Sequence, residues 1–195
     1  MSDTFEFSPE NRKLAEAVIA KYPAGRQASA VLALLDIGQR QNDNYASGAV
    51  ISAVAKLLDM PRIRVAEVAS FYTMINTEHV GKYLLQFCTT TPCWLRDSAD
   101  VVSATEKHLG ISFGETTGDG LFTMREVECL GACVNAPIVQ INDDMYEDLT
   151  GGRMVEILDA LQAGDVPPHG PQIKRQTSAP MGGPTTLTDL DFAKS

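Results

Sequence analysis

Residues 82–93 read KYLLQFCTTTPC, and residues 122–133 read FTMREVECLGAC. Each stretch opens as a strand and closes in a loop bracketed by two cysteines. Residues 82–87 form a short apolar run after Gly81, the pattern of a buried strand; residues 122–127 alternate as a half-buried strand does. Between them the sequence predicts a helix from Ser98, with Val101, Val102, Thr105 and Leu109 on one side and Gly110 as its stop. Residues 138–141, a turn at Asn142-Asp143-Asp144 and residues 145–148 predict a hairpin. Thr150 is placed to cap a last helix that carries Met154, Leu158 and Leu161 and closes at Gly164. The order β-α-β-β-α over residues 80–164 is that of a small α/β sandwich.

Residues 1–79, on the N-terminal side, read as helices. Ser8-Pro9 is an N-cap followed by a proline at the first helical position, and Leu14, Val18 and Tyr22 recur before Pro23. Val31, Leu34 and Leu35 repeat the pattern after Gly25. A third helix is expected from Ser47, with Val50, Ile51, Val54, Leu57 and Leu58 on one face, and Pro61 opens a fourth with Val65, Val68 and Ala69 leading into Phe71-Tyr72. These stripes read as core and inter-helix packing. Residues 165–195 are rich in Pro, Gly, Ser and Thr and lack a periodic apolar face. They read as an extended tail that orders against a partner rather than building the core.

The chain's 195 residues are 44% hydrophobic and 21% charged, a globular composition. The formal net charge of −9 argues against phosphate binding, so no nucleic-acid partner is expected. No apolar run approaches the length of a membrane span, and no direct membrane insertion is expected. The start, MSDTFEFSPENRK, has neither the basic-then-apolar order of a signal peptide nor the acid-poor character of a transit peptide. The expectation is a soluble protein of a reducing compartment, whose four cysteines serve something other than secretory disulfides.

Those cysteines form two pairs. Cys88 and Cys93 bracket four residues after the first strand; Cys129 and Cys133 bracket three after the second; 35 residues separate the pairs. If the strands are neighbours, the pairs meet. Four such thiolates can hold zinc or an iron–sulfur cluster, or stay unligated and redox-active. Zinc ribbons generally use two-residue spacers, whereas longer ones suit a binuclear cluster whose irons each take one pair. Threonines and Gly131 would leave backbone amides approachable by the negative cluster. No C-x-x-C is present, which argues against a disulfide exchanger. A structural zinc module serving protein interaction is the rival from another class.

KYLLQFCTTTPC together with GETTGDGLFTMREVECLGACVNAPIVQINDDMYEDLT resembles the thioredoxin-like 2Fe–2S ferredoxin family. Within it the sequence more closely resembles the small iron–sulfur subunits of NADH:quinone oxidoreductase, respiratory complex I. VASFYTMI matches the helix-bundle part, and GPQIKRQTSAPMGGPTTL resembles the tail of the alphaproteobacterial and mitochondrial branch. The resemblance implies an N-terminal helical bundle, a thioredoxin-like domain of mixed α/β type and an extended C-terminal tail. It implies one 2Fe–2S cluster on Cys88, Cys93, Cys129 and Cys133, with no catalytic residue in this chain. As partners it implies a flavoprotein subunit that binds FMN and NADH and takes the hydride, and the large iron–sulfur subunit. It places the chain peripherally on the cytoplasmic side of a bacterial inner membrane, or on the matrix side for an organellar chain. Subunits of NAD-linked hydrogenases and formate dehydrogenases reuse the same module and are the alternative within the class.

Other residues have plainer readings beside functional ones. Arg96 and Arg125 lie near the cysteines in sequence and are candidates to offset cluster charge, or are simply solvated. Glu128 precedes Cys129 and would oppose reduction unless it faces water. Trp94 departs from the family pattern just outside the first cysteine loop. Pro137 stands where thioredoxin folds carry a cis proline. His79, His108 and His169 have no ligand spacing and read as structural or solvent-facing. Residues 118–120 and Gly151-Gly152 are a turn and a helix start, not a dinucleotide fingerprint, so FMN and NADH are expected only on the partner.

Overall fold

A computed structural model describes residues 4–183, 185 and 186 of the chain. The chain divides into two units, Met1–Lys82 and Tyr83–Ser195, each with its own apolar core.

Among the described residues the first unit is helical: α1 (Pro9–Ile19), a 3-10 turn (Gln27–Ala30), α2 (Val31–Gln41), α3 (Gly48–Leu58) and α4 (Arg62–Phe71). Two starts are capped where the sequence puts serines. Ser8 Oγ accepts from the Asn11 N–H at 3.2 Å, and Ser47 Oγ accepts from the Val50 N–H at 3.3 Å. Leu34, Leu35, Val50, Val54 and Val65 are fully buried and form the centre of this core. Of the stripe expected on α1, Val18 and Tyr22 pack against this core, but Leu14 is 51% exposed and Ala15 is buried in its place. Phe71, placed by its sequence at the end of a core stripe, is exposed as well. Gly38 has a steric reason. A Cβ there would lie 2.6 Å from Val50 Cγ1, so α2 and α3 approach closely only without a side chain.

The second unit is a mixed sheet with helices. Its strands are β1 (Tyr83–Cys88), β2 (Phe122–Val127), β3 (Val139–Ile141), β4 (Asp144–Glu147) and β5 (Gly170–Pro171), in the order β2-β1-β3-β4-β5. The pairs β1–β2 and β4–β5 are parallel; β1–β3 and β3–β4 are antiparallel. Its helices are α5 (Thr91–Leu95), α6 (Ser98–Leu109) and α7 (Gly151–Ala163). The alternation of strand side chains sorts the residues of β1. Tyr83, Leu85 and Phe87 pack with Val101 of α6 and with Met154, Ile157 and Leu158 of α7. Cys88 lies in a separate small apolar cluster with Cys93, Ala136 and Ile138. The helices end as predicted, at Gly110 (φ +68°) and Gly164 (φ +91°). Thr150 Oγ1 accepts from the Arg153 N–H at 3.2 Å, and Asp100 of α6 accepts from the Gly151 N–H at 2.8 Å, tying α7 to α6.

Two expectations need correction. Cys93 lies not in a loop but in α5, a single turn with Pro92 near its start, where a missing N–H costs nothing. The segment after Asp165 is not free of the α/β unit. Gly170 and Pro171 pair with Tyr146 and Glu147, Tyr146 Oη donates to the Pro167 carbonyl at 2.9 Å, and the Gln172 N–H donates to the Glu147 carbonyl at 2.9 Å. Arg175 makes an ion pair with Asp148 in which the side chains are only 7% and 4% exposed. The physical reason is polar: backbone pairing and a buried ion pair hold a strap that has no apolar stripe. Residues 187–195, also assigned to the tail, lie outside the described residues.

Candidate metal centre

Parallel pairing of β1 and β2 places Cys88 opposite Val127, two residues before Cys129. Both cysteine segments therefore leave the sheet at the same end, as the sequence argument requires. Thr89 Oγ1 donates to Glu126 at 2.6 Å and ties the two strand ends across this point. The second segment turns through Gly131 (φ +87°), where nothing lies within 4 Å of an added Cβ. Glycine is thus needed there for its left-handed backbone rather than for space. Cys133 then opens a 3-10 turn, Cys133–Asn135, and the peptide Ala136–Pro137 is cis.

The four thiols differ in exposure. Cys88 and Cys93 are each 1% exposed, whereas Cys129 is exposed and Cys133 partly so. Cys129 Sγ lies 3.3 Å from Cys133 Sγ, and Cys88 Sγ lies 3.3 Å from Thr90 Oγ1. Burial alone would push the Cys88 thiol up. The hydroxyl and N–H of Thr90, the Cys93 thiol and the Leu130 N–H outweigh it and hold Cys88 below the ordinary thiol range. Burial, with the hydrogen bond and charge of Cys88, pushes Cys93 up to about 12, against the Ile138 N–H. Cys133 is also raised, first by its hydrogen bond with Cys129, then by burial and by the charges of Cys129 and Cys88. The pairs thus act on each other electrically. Thiolates gathered in this way repel until cations join them.

The donor set suits a binuclear iron–sulfur cluster. All four donors are sulfur and stand as two pairs, as two metal ions would require. N–H groups of Thr90, Leu130 and Ile138 already face the thiols, as anionic sulfur requires. Among the described residues no group of three or more His, Cys, Asp or Glu side chains, the four cysteines included, is gathered as a metal-ion site; the sulfurs stand as two pairs.

The other candidates have partners or exposures of their own. Arg96 Nε donates to the Ala136 carbonyl at 3.5 Å, and Glu128 is exposed. Arg125, partly buried, is in register opposite Gln86. His79 packs on Tyr45 with the rings tilted by 39°, His108 pairs with Asp159 at 2.9 Å, and His169 lies 3.6 Å from Asp144. Trp94 and Leu95 on α5 are 65% and 69% exposed, and Val134 on the neighbouring 3-10 turn is 71% exposed. Sequence reading passed over Arg175, Asp148 and Asn135, which back the second cysteine segment. Their one sequence signal, an arginine inside a Pro- and Gly-rich stretch, does not identify its distant partner.

The model of the thioredoxin-like [2Fe-2S] ferredoxin family matches residues 15–162. A protein named as a subunit of NADH-quinone oxidoreductase, from Rickettsia conorii, is 56% identical over 81% of this chain and 95% of its own length. NADH dehydrogenase [ubiquinone] flavoprotein 2, mitochondrial, from Dictyostelium discoideum, is 45% identical over 95% of this chain and 75% of its own. The solved structure of an air-oxidised NAD+-reducing [NiFe]-hydrogenase matches with a TM-score of 0.61 at 21% identity. It covers 69% of this chain and 23% of the hydrogenase chain, a likeness of fold.

Proposed function

The chain belongs to the thioredoxin-like [2Fe-2S] ferredoxin family, and from that premise we propose that it is the electron-carrying subunit of an NADH:quinone oxidoreductase, respiratory complex I. Its cofactor is one 2Fe–2S cluster, and we assign the ligands as Cys88, Cys93, Cys129 and Cys133. The observation that carries the assignment is the arrival of two thiol pairs at one end of the parallel β1–β2 pair. The names borne by relatives at 56% and 45% identity support the complex.

A bound cluster of this kind accepts and releases one electron at a time. The protein's own part is to hold and insulate. Cys88 and Cys93 anchor the buried side, and the hydroxyl and N–H of Thr90 with the Leu130 and Ile138 N–H groups offset negative charge. Cys129 and Cys133, the more exposed pair, would hold the cluster on the side open to a partner. No side chain here is assigned a role in hydride transfer; that chemistry belongs to a flavoprotein subunit carrying FMN and NADH. The exposed apolar side chains next to the cysteines, Trp94 and Leu95 after Cys93 and Val134 after Cys133, support docking of that subunit at this end. Exposed Ile63, Phe71 and Met74 on the helical unit support a second contact, with the large iron–sulfur subunit. On this reading the chain sits peripherally, at the cytoplasmic face of a bacterial inner membrane or the matrix face of an organelle. Among the described residues no helix is long and apolar enough to cross a membrane.

The test is anaerobic addition of NADH to the full-length chain, with and without the flavoprotein subunit, followed by visible absorption and electron paramagnetic resonance. Reduction of this chain's cluster only in the presence of the flavoprotein is the expected result. Reduction by NADH without it, or none with it, contradicts the assignment.

A further inference from the structure

We infer that Arg175 is a positioning residue for the cluster: clamped by Asp148, its guanidinium holds the backbone that immediately follows Cys133 and so fixes that ligand. The inference rests on the reading of Cys133 as a ligand.

The geometry is a two-point clamp on consecutive peptide groups. Arg175 Nε and Nη2 donate to the two carboxylate oxygens of Asp148 at 2.8 and 2.6 Å, the bidentate fork of a strong arginine–carboxylate pair. The same Nη2 donates to the Val134 carbonyl at 3.1 Å, and Nη1 donates to Ala179 O at 3.3 Å, closing the strap on itself. The Asp148 N–H donates to the next carbonyl, that of Asn135, at 2.7 Å. Both carbonyls belong to the 3-10 turn that Cys133 opens. Asn135 reinforces the clamp by donating its side-chain amide to the Thr177 carbonyl at 3.2 Å.

Toward the strap, apolar packing does not do this work; the apolar contacts flanking the turn, through Ala132 and Ala136, lie with Cys88, Cys93 and Ile138. A cleft of about 450 Å³ separates the turn from the strap, lined by Gly131, Ala132, Glu147 and Ser178 among others. The polar ties cross where side-chain packing is missing, so the turn's position depends on them. Asp148 adopts a left-handed backbone (φ +54°), unusual for a residue with a side chain, at the point where its N–H and carboxylate both engage the clamp. Lysine cannot replace this arginine. A single ammonium does not span a carboxylate and two carbonyls at once.

The experiment compares the wild-type full-length chain with Arg175→Met, Arg175→Lys and the control Lys174→Met, which removes the neighbouring exposed cation. Each is loaded with iron and sulfide, then challenged with an iron chelator while visible absorption is followed. Spectra of the dithionite-reduced chain are recorded by electron paramagnetic resonance. Loss of a residue that orients a ligand generally weakens metal retention about 10–100-fold. Arg175→Met is therefore expected to bleach about 10–100 times faster with shifted g values, Arg175→Lys to fall between, and Lys174→Met to match wild type. If Arg175→Met does not fold, Arg175→Lys, which keeps the charge beside Asp148, decides alone. Wild-type bleaching and g values in a folded Arg175→Lys then overturn the inference, as do folded variants that lose thermal stability but keep the wild-type spectrum. Failure of both variants to fold also overturns it, because the pair would then serve the whole unit. A wild-type chain that takes up no cluster, or a Cys133→Ala chain that keeps it intact, refutes the ligand reading beneath.

Discussion

Replacing Thr90 by Val should lower the reduction potential of the bound cluster while leaving its iron in place. The Thr90 hydroxyl lies 3.3 Å from Cys88 Sγ, and toward a metal-bound thiolate it can only donate. Although Thr90 stands at the N-cap of α5, its side chain makes no capping hydrogen bond, so valine of nearly the same shape removes one O–H···S contact and little else. A hydrogen bond donated to sulfur favours the more negative, reduced state, and its loss moves the potential down. Hydrogen bonds to charged groups contribute about 1.5–3 kcal/mol, and only the part that differs between redox states counts; about 1 kcal/mol of difference is reasonable. With about 59 mV per tenfold change in a one-electron couple, that is a fall of about 40 mV. Thr89→Val is the matched control, because the Thr89 hydroxyl donates to Glu126 at 2.6 Å and not to sulfur. The assay is a potentiometric titration followed by electron paramagnetic resonance. An unchanged or raised potential in Thr90→Val, or an equal shift in Thr89→Val, refutes the reasoning.

Gly38→Ala should destabilise the helical unit by about 1–3 kcal/mol, since its Cβ would meet Val50 Cγ1 at 2.6 Å; a thermal melt followed by circular dichroism reads it, and a wild-type midpoint would show that the helices yield freely. Cutting the chain after Gly164 removes β5, the Pro167 acceptor of Tyr146 and the partner of Asp148. The loss of stability should approach the roughly 3–5 kcal/mol seen when one member of a buried ion pair is removed; urea unfolding measures it, and an unchanged midpoint would restore the free-tail reading. The full-length, flavin-free chain should oxidise no NADH with ferricyanide as acceptor, because a one-electron centre cannot take a hydride's two electrons together; measurable turnover would end its assignment as a carrier.

Much of this architecture is local, and local patterns are readable. Ser8, Ser47 and Thr150 cap because their hydroxyls face their own helix N-termini, and Gly110 and Gly164 end helices because they alone turn left-handed without penalty. The convergence of the cysteine segments was legible in part: strand grammar puts each pair just after a strand, and the parallel β1–β2 pairing makes those ends neighbours. What sequence reading missed depends on distant partners. A two-residue strand such as Gly170–Pro171 has no period to detect, and the Arg175–Asp148 pair spans 27 positions. Leu14 misled because a four-residue repeat marks a face of a helix without saying which face finds a neighbour. The short helix holding Cys93 was hidden by Pro92, which reads as a breaker and here sits in a first turn that tolerates it.

The most direct test is the metal and acid-labile sulfide content of the pure full-length chain, measured beside its four single Cys→Ala variants. The account predicts a red-brown protein with two irons and two sulfides per chain and a paramagnetic signal after dithionite reduction. Each of Cys88→Ala, Cys93→Ala, Cys129→Ala and Cys133→Ala should lose that iron and its absorption, since the sequence has no fifth cysteine to substitute. A colourless protein holding one zinc ion, or a variant that keeps full iron with an unchanged spectrum, would contradict it.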